Sequence, residues 1–197
     1  MRLLAPTVLR IAPADLRRRA QERFGGELRR TGSFTQLAML GASACLRDTS
    51  GAAAGNGPLG VLWTSVHGTL ASTRAALEEL RSGGPLMPFT FIATQPHYAA
   101  ALLARRGEPV ARSAFVYLEP GGERWLAELA RAWLRQDCGR VLLGWVEESA
   151  ADASMETAPH QSDWCLLAAG PAGAEPIAGS GFLRAVAGAI SSSSRPA

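Results

Sequence analysis

The sequence predicts an α/β protein: a mostly parallel five-stranded sheet with helices on both faces. Three observations carry this. Val110–Leu118 and Val141–Val146 are short apolar runs rich in β-formers, the composition of strands covered on both faces. Between them Glu119-Pro120-Gly121-Gly122 breaks the chain and Glu123–Arg135 carries a helical pattern, so the stretch from 110 to 148 reads as one βαβ crossover. Three further strand-like runs, Thr7–Ala12, Leu59–Ser65 and Asp163–Ala169, are spaced by helical segments along the rest of the chain.

Taken in order, Thr7–Ala12 suits a sheet edge, and residues 15–30 form a charge-dense helix plus loop in which Arg17, Arg18, Arg19, Arg23, Arg29 and Arg30 outnumber Asp15, Glu22 and Glu27. Ser33 stands where an N-cap belongs, ahead of a helix to about Arg47 that buries Phe34, Leu37, Leu40, Ala44 and Cys45. Residues 48–58 are mostly Gly, Ala, Ser and Asn, a loop. Leu59–Ser65 then leads through His67-Gly68 into a helix from about Leu70 to Arg81. Leu86–Pro96, punctuated by two prolines, reads as an extended loop. His97–Arg105 is a helix closed by Arg106-Gly107.

In the central crossover helix Trp125, Leu129 and Trp133 fall four apart beside Leu126, Ala130 and Leu134, giving one broad apolar face. Beyond the last strand the chain is rich in Gly, Ala and Pro, with a weak helix at Phe182–Ile190 and a serine run. This divides the chain into an N-terminal edge strand and basic segment at 1–30, a core domain at 31–170 and a flexible C-terminal tail at 171–197.

Composition limits the function. Of 197 residues 47% are hydrophobic and 19% charged, ordinary for a globular chain, and the net charge of +3 does not by itself call for nucleic acid. All 20 basic residues are arginine, so no lysine-bearing phosphate loop exists. No apolar run is long enough to span a membrane and no signal-peptide core follows Met1. Cys45, Cys138 and Cys165 are odd in number and widely spaced, which argues against a disulfide framework and for a reducing, cytoplasmic compartment. His67, His97 and His160 stand apart without neighbouring ligands, so no metal and no cofactor is expected. Gly179-Ser180-Gly181 lacks the spacing of a hydrolase elbow. Cys138 lies at the end of the central helix, where the helix dipole disfavours a thiolate.

The order of these segments resembles the β-ketoacyl synthases. Gly60–Gly68 with its following helix is similar to the family's early strand and turn, Pro85–Gly107 to its Pro-rich segment and helix, and Val110–Glu148 to its strand, nucleophile turn, helix and following strand. Leu143-Gly144-Trp145-Val146-Glu147-Glu148 fits the "GG-V-E" strand with Trp in place of a Gly, and Thr31–Leu46 resembles the family's "R-x-x-R-x-x-x-x-A" helix region. The resemblance covers Thr31 to Ala169, the N-terminal half of a thiolase-type fold.

One departure matters most. Active ketosynthases carry a Cys at the turn, and here about Pro120 occupies that position within Leu118-Glu119-Pro120-Gly121-Gly122. Pro suits the first turn of a helix, so the fold tolerates it while the acyl acceptor is lost. The family's two His come from the C-terminal half, which the matching stretch does not include.

The resemblance therefore implies a short, nucleophile-less subunit of the chain-length-factor type, as in aryl polyene pathways. Such a subunit would pair with a catalytic ketosynthase and shape its acyl pocket, without independent activity. On this reading Phe115, Tyr117, Leu118, Glu119 and Pro120 form the partner interface and acyl pocket, and Arg17, Arg18, Arg19, Arg29 and Arg30 attract an acidic acyl carrier protein. The alternatives are a small acyltransferase or thioesterase using a Cys or His elsewhere, or a stand-alone carrier-binding module.

Overall fold

The computed structural model describes residues 1–49, 57–119, 121–149, 158–170 and 180–192. Five strands, β1 (Arg2–Ile11), β2 (Leu59–Ser65), β3 (Val110–Tyr117), β4 (Arg140–Glu147) and β5 (His160–Ala168), form one sheet in the order β1-β5-β4-β2-β3. β4, β2 and β3 run parallel, and β5 is antiparallel to both β4 and β1. Four strands thus share one direction, and the sheet is mostly but not wholly parallel.

The helices divide by face because the strands are apolar on both sides. One layer holds α1 (Pro13–Phe24), α2 (Ser33–Asp48) and α5 (Tyr98–Arg105), whose Leu16, Phe24, Phe34, Leu37, Met39 and Leu102 meet Val61, Trp63, Leu142 and Trp164. The other holds α6 (Glu123–Gln136) and α7 (Gly181–Ser192), whose Leu126, Trp133, Phe182, Leu183 and Val186 meet Leu62, Val141, Leu143 and Cys165. α2 lies close enough to the sheet that a Cβ at Gly41 would come within 2.3 Å of Ser162 Oγ, so only glycine fits. α3 (Leu70–Arg81) and the short α4 (Pro88–Ala93) pack on each other at the periphery.

Several expectations change. β1 is longer than the run Thr7–Ala12, because residues 2–4 pair with β5 before a bulge at Ala5-Pro6. The stretch expected as an extended loop contains α4, which Pro88 opens as a first-turn residue that needs no backbone donor. Ser33 does not cap α2; Gly32 precedes the helix, and the serine hydroxyl bonds Glu148 instead. Trp125 is 51% exposed, since the buried face of α6 centres on Leu126, Ala127, Ala130 and Trp133. The segment expected as a flexible tail contains α7, held by Phe182, Leu183, Val186 and Ile190 in the core. Residues 171–179 and 193–197 of that tail lie outside the described residues.

Candidate functional site at the strand ends

The parallel order β4-β2-β3 brings three carboxyl-terminal strand ends side by side, with the turns into α3 and α6 above them. β2 runs into Ser65-Val66-His67-Gly68, and this turn is wrapped around one carboxylate. Glu147 Oε2 accepts from Ser65 Oγ at 2.9 Å and from the Val66 N–H at 2.9 Å. Its Oε1 accepts from the His67 N–H at 3.3 Å and faces His67 Nδ1 at 2.7 Å. The Trp145 indole reaches Oε2 at 3.4 Å, and Ser65 Oγ in turn accepts from the Gly68 N–H at 2.7 Å. With both oxygens occupied, Glu147 fixes the turn as a rigid platform.

Gly68 then makes room for β3. Its φ of +59° lies in the left-handed region, and a Cβ there would approach the Tyr117 ring to 2.5 Å. Tyr117 lies against this backbone and is 58% exposed. Its ring meets Phe115 edge-on at 4.9 Å, and Phe115 in turn meets Trp63 and Phe34, each at 5.8 Å. Phe115 is therefore engaged within the chain. Outward, β3 offers Tyr117 and its own backbone edge.

At the turn into α6, the Leu118 N–H continues the ladder to Ser65 O at 3.2 Å, and the Gly122 N–H bonds Glu119 O at 3.2 Å. Gly121, at φ +101°, donates its N–H to Glu123 Oε2 at 2.9 Å. Pro120, the residue expected where the family has its nucleophile, lies outside the described residues. Leu118, Glu119, Glu123, Leu126, Trp145 and Phe182 close around a recess of only about 10 Å3, room for one water and no acyl chain.

The thiols are elsewhere and buried. Cys45 and Cys165 are fully enclosed; burial pushes the Cys45 thiol up to about 12 and the Cys165 thiol well above its ordinary value. Burial also raises Cys138, and the neighbouring Asp137 carboxylate adds to the effect. A buried thiol held protonated is a poor nucleophile. His97 packs against Trp63 at 5.7 Å, while His160 Nδ1 accepts the Ser149 N–H at 3.0 Å and burial lowers its affinity for a proton.

The sequence shows Glu148 only as the end of a strand motif, with no role of its own. It turns to the opposite face from Glu147, accepts from Ser33 Oγ and the Phe34 N–H, and so anchors the start of α2; its Oε2 has no hydrogen-bond partner among the described residues. Burial raises its carboxyl above the ordinary value, so the protonated form, which suits an unpaired oxygen, is favoured there.

The five arginines weighed for carrier binding are all exposed but not equivalent. Arg18 is engaged by Asp15 and Glu22, both at 2.8 Å, and Arg30 stacks over Phe89 at 4.7 Å. Arg17 and Arg29 line one recess of about 100 Å3 beside the Gly25-Gly26 turn, while Arg19 lies outside it.

No protein-family model matches this chain, and no curated protein does. Solved structures do. A chain of the complex between a ketosynthase (ApeO) and its chain length factor (ApeC) from Xenorhabdus doucetiae superposes with a TM-score of 0.61 at 15% identity, over 85% of this chain and 78% of that one. A chain of the ishigamide ketosynthase/chain length factor superposes with a TM-score of 0.59 at 18% identity, over 75% of this chain, which spans 47% of that neighbour. The five-stranded mixed sheet between two helical layers is therefore the ketosynthase-like, thiolase-type fold.

Proposed function

We propose that this chain is a non-catalytic, chain-length-factor-like subunit that pairs with an active β-ketoacyl synthase and helps shape its acyl pocket. The observation that supports it best is the state of β3. Its outer edge is bonded to no other described strand and ends in the exposed Tyr117, while the turn that follows carries no thiol or hydroxyl. An uncovered strand edge is a template for another chain. Among the described residues the recess behind Leu118 is only about 10 Å3, too small for an acyl chain, so the pocket would form between the subunits, against Tyr117 and the 118–120 turn. Both solved neighbours above come from ketosynthase/chain length factor assemblies, which supports the choice of partner.

Within this reading Arg17, Arg19 and Arg29 are the arginines that would meet an acidic acyl carrier, Arg18 and Arg30 being already engaged. The pathway would be of the aryl polyene type, and three unpaired cysteines suit the cytoplasm. An independent acyltransferase or thioesterase is disfavoured, because all three thiols are buried and raised.

The test is co-expression with a ketosynthase from the same gene neighbourhood, followed by purification and intact-mass analysis after exposure to acyl-loaded carrier protein. A stoichiometric complex with the acyl group on the ketosynthase alone is expected. An acyl adduct on this chain, or a chain that stays monomeric beside every such ketosynthase, overturns the reading.

A further inference from the structure

The recess beside the Gly25-Gly26 turn contains a buried polar group with an unmet bond. Gln36, on α2, lines it and is only 6% exposed. Its Nε2 donates to Leu28 O and Thr31 O, both at 3.2 Å, which fixes the orientation of the amide. Oε1 accepts no hydrogen bond among the described residues, and it is not one of the sealed atoms that lack a partner. It therefore opens into the recess as a free acceptor.

Arg17 from α1 and Arg29 from the loop beyond the turn line the same space. Both are exposed, and neither has an ion pair or side-chain hydrogen bond among the described residues. No acid lines the recess. Glu22 is held by Arg18 at 2.8 Å and Glu27 by Arg106 at 2.5 Å, so the acids nearest in sequence are already engaged. Ala20 and Leu28 add apolar wall. At about 100 Å3 the space is smaller than the roughly 150 Å3 cavity that takes a benzene, so it suits a group of a few heavy atoms.

An exposed arginine alone is ordinarily a solvated charge. Two of them around one buried acceptor match a ligand of mixed character, with anionic oxygens for the guanidinium groups and a hydroxyl for the amide oxygen. We propose that this recess binds a phosphate group, its anionic oxygens toward Arg17 and Arg29 and a hydroxyl donating to Gln36 Oε1. That hydroxyl is the P–OH of the free ion or a neighbouring hydroxyl of a small phosphate ester. The site does not depend on the subunit reading. Since a carrier protein would meet the same two arginines, bound phosphate would compete with it.

Calorimetric titration of the full chain with inorganic phosphate at pH 7 tests this. Saturable binding is expected, weakened at least tenfold by Arg17→Ser and by Arg29→Ser and less than twofold by Arg19→Ser, which removes the same charge from outside the recess. Sulfate has the shape of phosphate but carries no proton at this pH, so it tests Oε1 without a substitution; it should bind at least tenfold more weakly. Phenylglyoxal labelling of the wild type read by peptide mass covers the case of a variant that fails to fold: phosphate should protect Arg17 and Arg29 but not Arg19. Glycerol 3-phosphate separates the two sources, tighter binding than inorganic phosphate assigning the site to an ester and weaker binding to the free ion, both in agreement with the proposal. Absence of saturable phosphate binding, sulfate bound as tightly as phosphate, equal loss in all three variants, or no protection overturns it.

Discussion

The sheet ends in two edges, and they are built in opposite ways. β1 is blunted. Its pairing with β5 slips between Leu4 and Thr7, Ala5 is forced to a φ of +43°, and Pro6 has no N–H to offer. Holding a non-glycine residue there costs about 1–2 kcal/mol, which the strand accepts in exchange for an edge that cannot be extended. Arg10 adds a charge, held by the buried Asp163 at 2.9 Å.

β3 has none of these devices along its main run. From Arg112 to Tyr117 it follows β2 in unbroken register, and its only charged side chain, Arg112, is drawn back onto Asp137 at 2.7 Å. Since the Leu118 N–H points to β2 and backbone groups alternate along a strand, those of Ser113, Phe115 and Tyr117 turn outward. One edge is closed to pairing and the other is left open, and this difference is the ground on which β3 is proposed as the side a partner takes.

The largest effect is expected from Ser113→Pro, which removes an outward donor at an exposed edge position. It should abolish co-purification with the ketosynthase, a loss of at least a hundredfold in affinity, with the circular dichroism unchanged; undiminished capture by the folded variant would break the contrast between the edges. Gly68→Ala should come next. It places a side chain in the left-handed region and against Tyr117, lowering stability by about 1–3 kcal/mol in denaturant titration and weakening capture by displacing the ring.

Glu147→Gln tests the platform beneath that ring. Replacing charge-assisted bonds by neutral ones should cost roughly 1–3 kcal/mol and loosen the 65–68 turn, seen as faster amide exchange at Val66 and His67. The fold was legible where one segment sufficed: five apolar runs gave five strands, and the crossover from 110 to 148 came out as read. What the sequence did not reveal came from pairings across distance. His67 stood apart in the sequence because eighty residues separate it from Glu147, although β2 and β4 are neighbours in the sheet. In the sequence Glu148 is only the end of a strand motif, and it is the sheet that places it under α2. Trp125 and Trp133 share a helical stripe, yet only the position of the sheet decides which is covered. The chemistry weighed at the turn hinged on a missing thiol, which sequence shows directly; which edge of the sheet stays open is a matter of topology.

Glu148 gives a smaller effect and one of unusual sign. Unfolded, it loses its proton near the ordinary value of 4.5; folded, it keeps the proton to higher pH. Between the two values the folded state binds more protons, so this group's contribution to stability falls as pH rises through the interval. Melting of wild type against Glu148→Gln should show a difference that grows in favour of the variant from about pH 4.5 upward. A difference independent of pH would mean that the fold does not raise this carboxyl. The smallest effect is expected from Pro6→Ser, which restores a donor to β1 and should leave ketosynthase capture within twofold of wild type.

Hydrogen–deuterium exchange on the free chain and on its ketosynthase complex tests the central claim most directly. The account predicts that partner binding slows exchange at the outward amides of Ser113, Phe115 and Tyr117 by at least tenfold and leaves β1 unchanged. Unaltered exchange along β3 in a stable complex, or protection appearing on β1 instead, would contradict it.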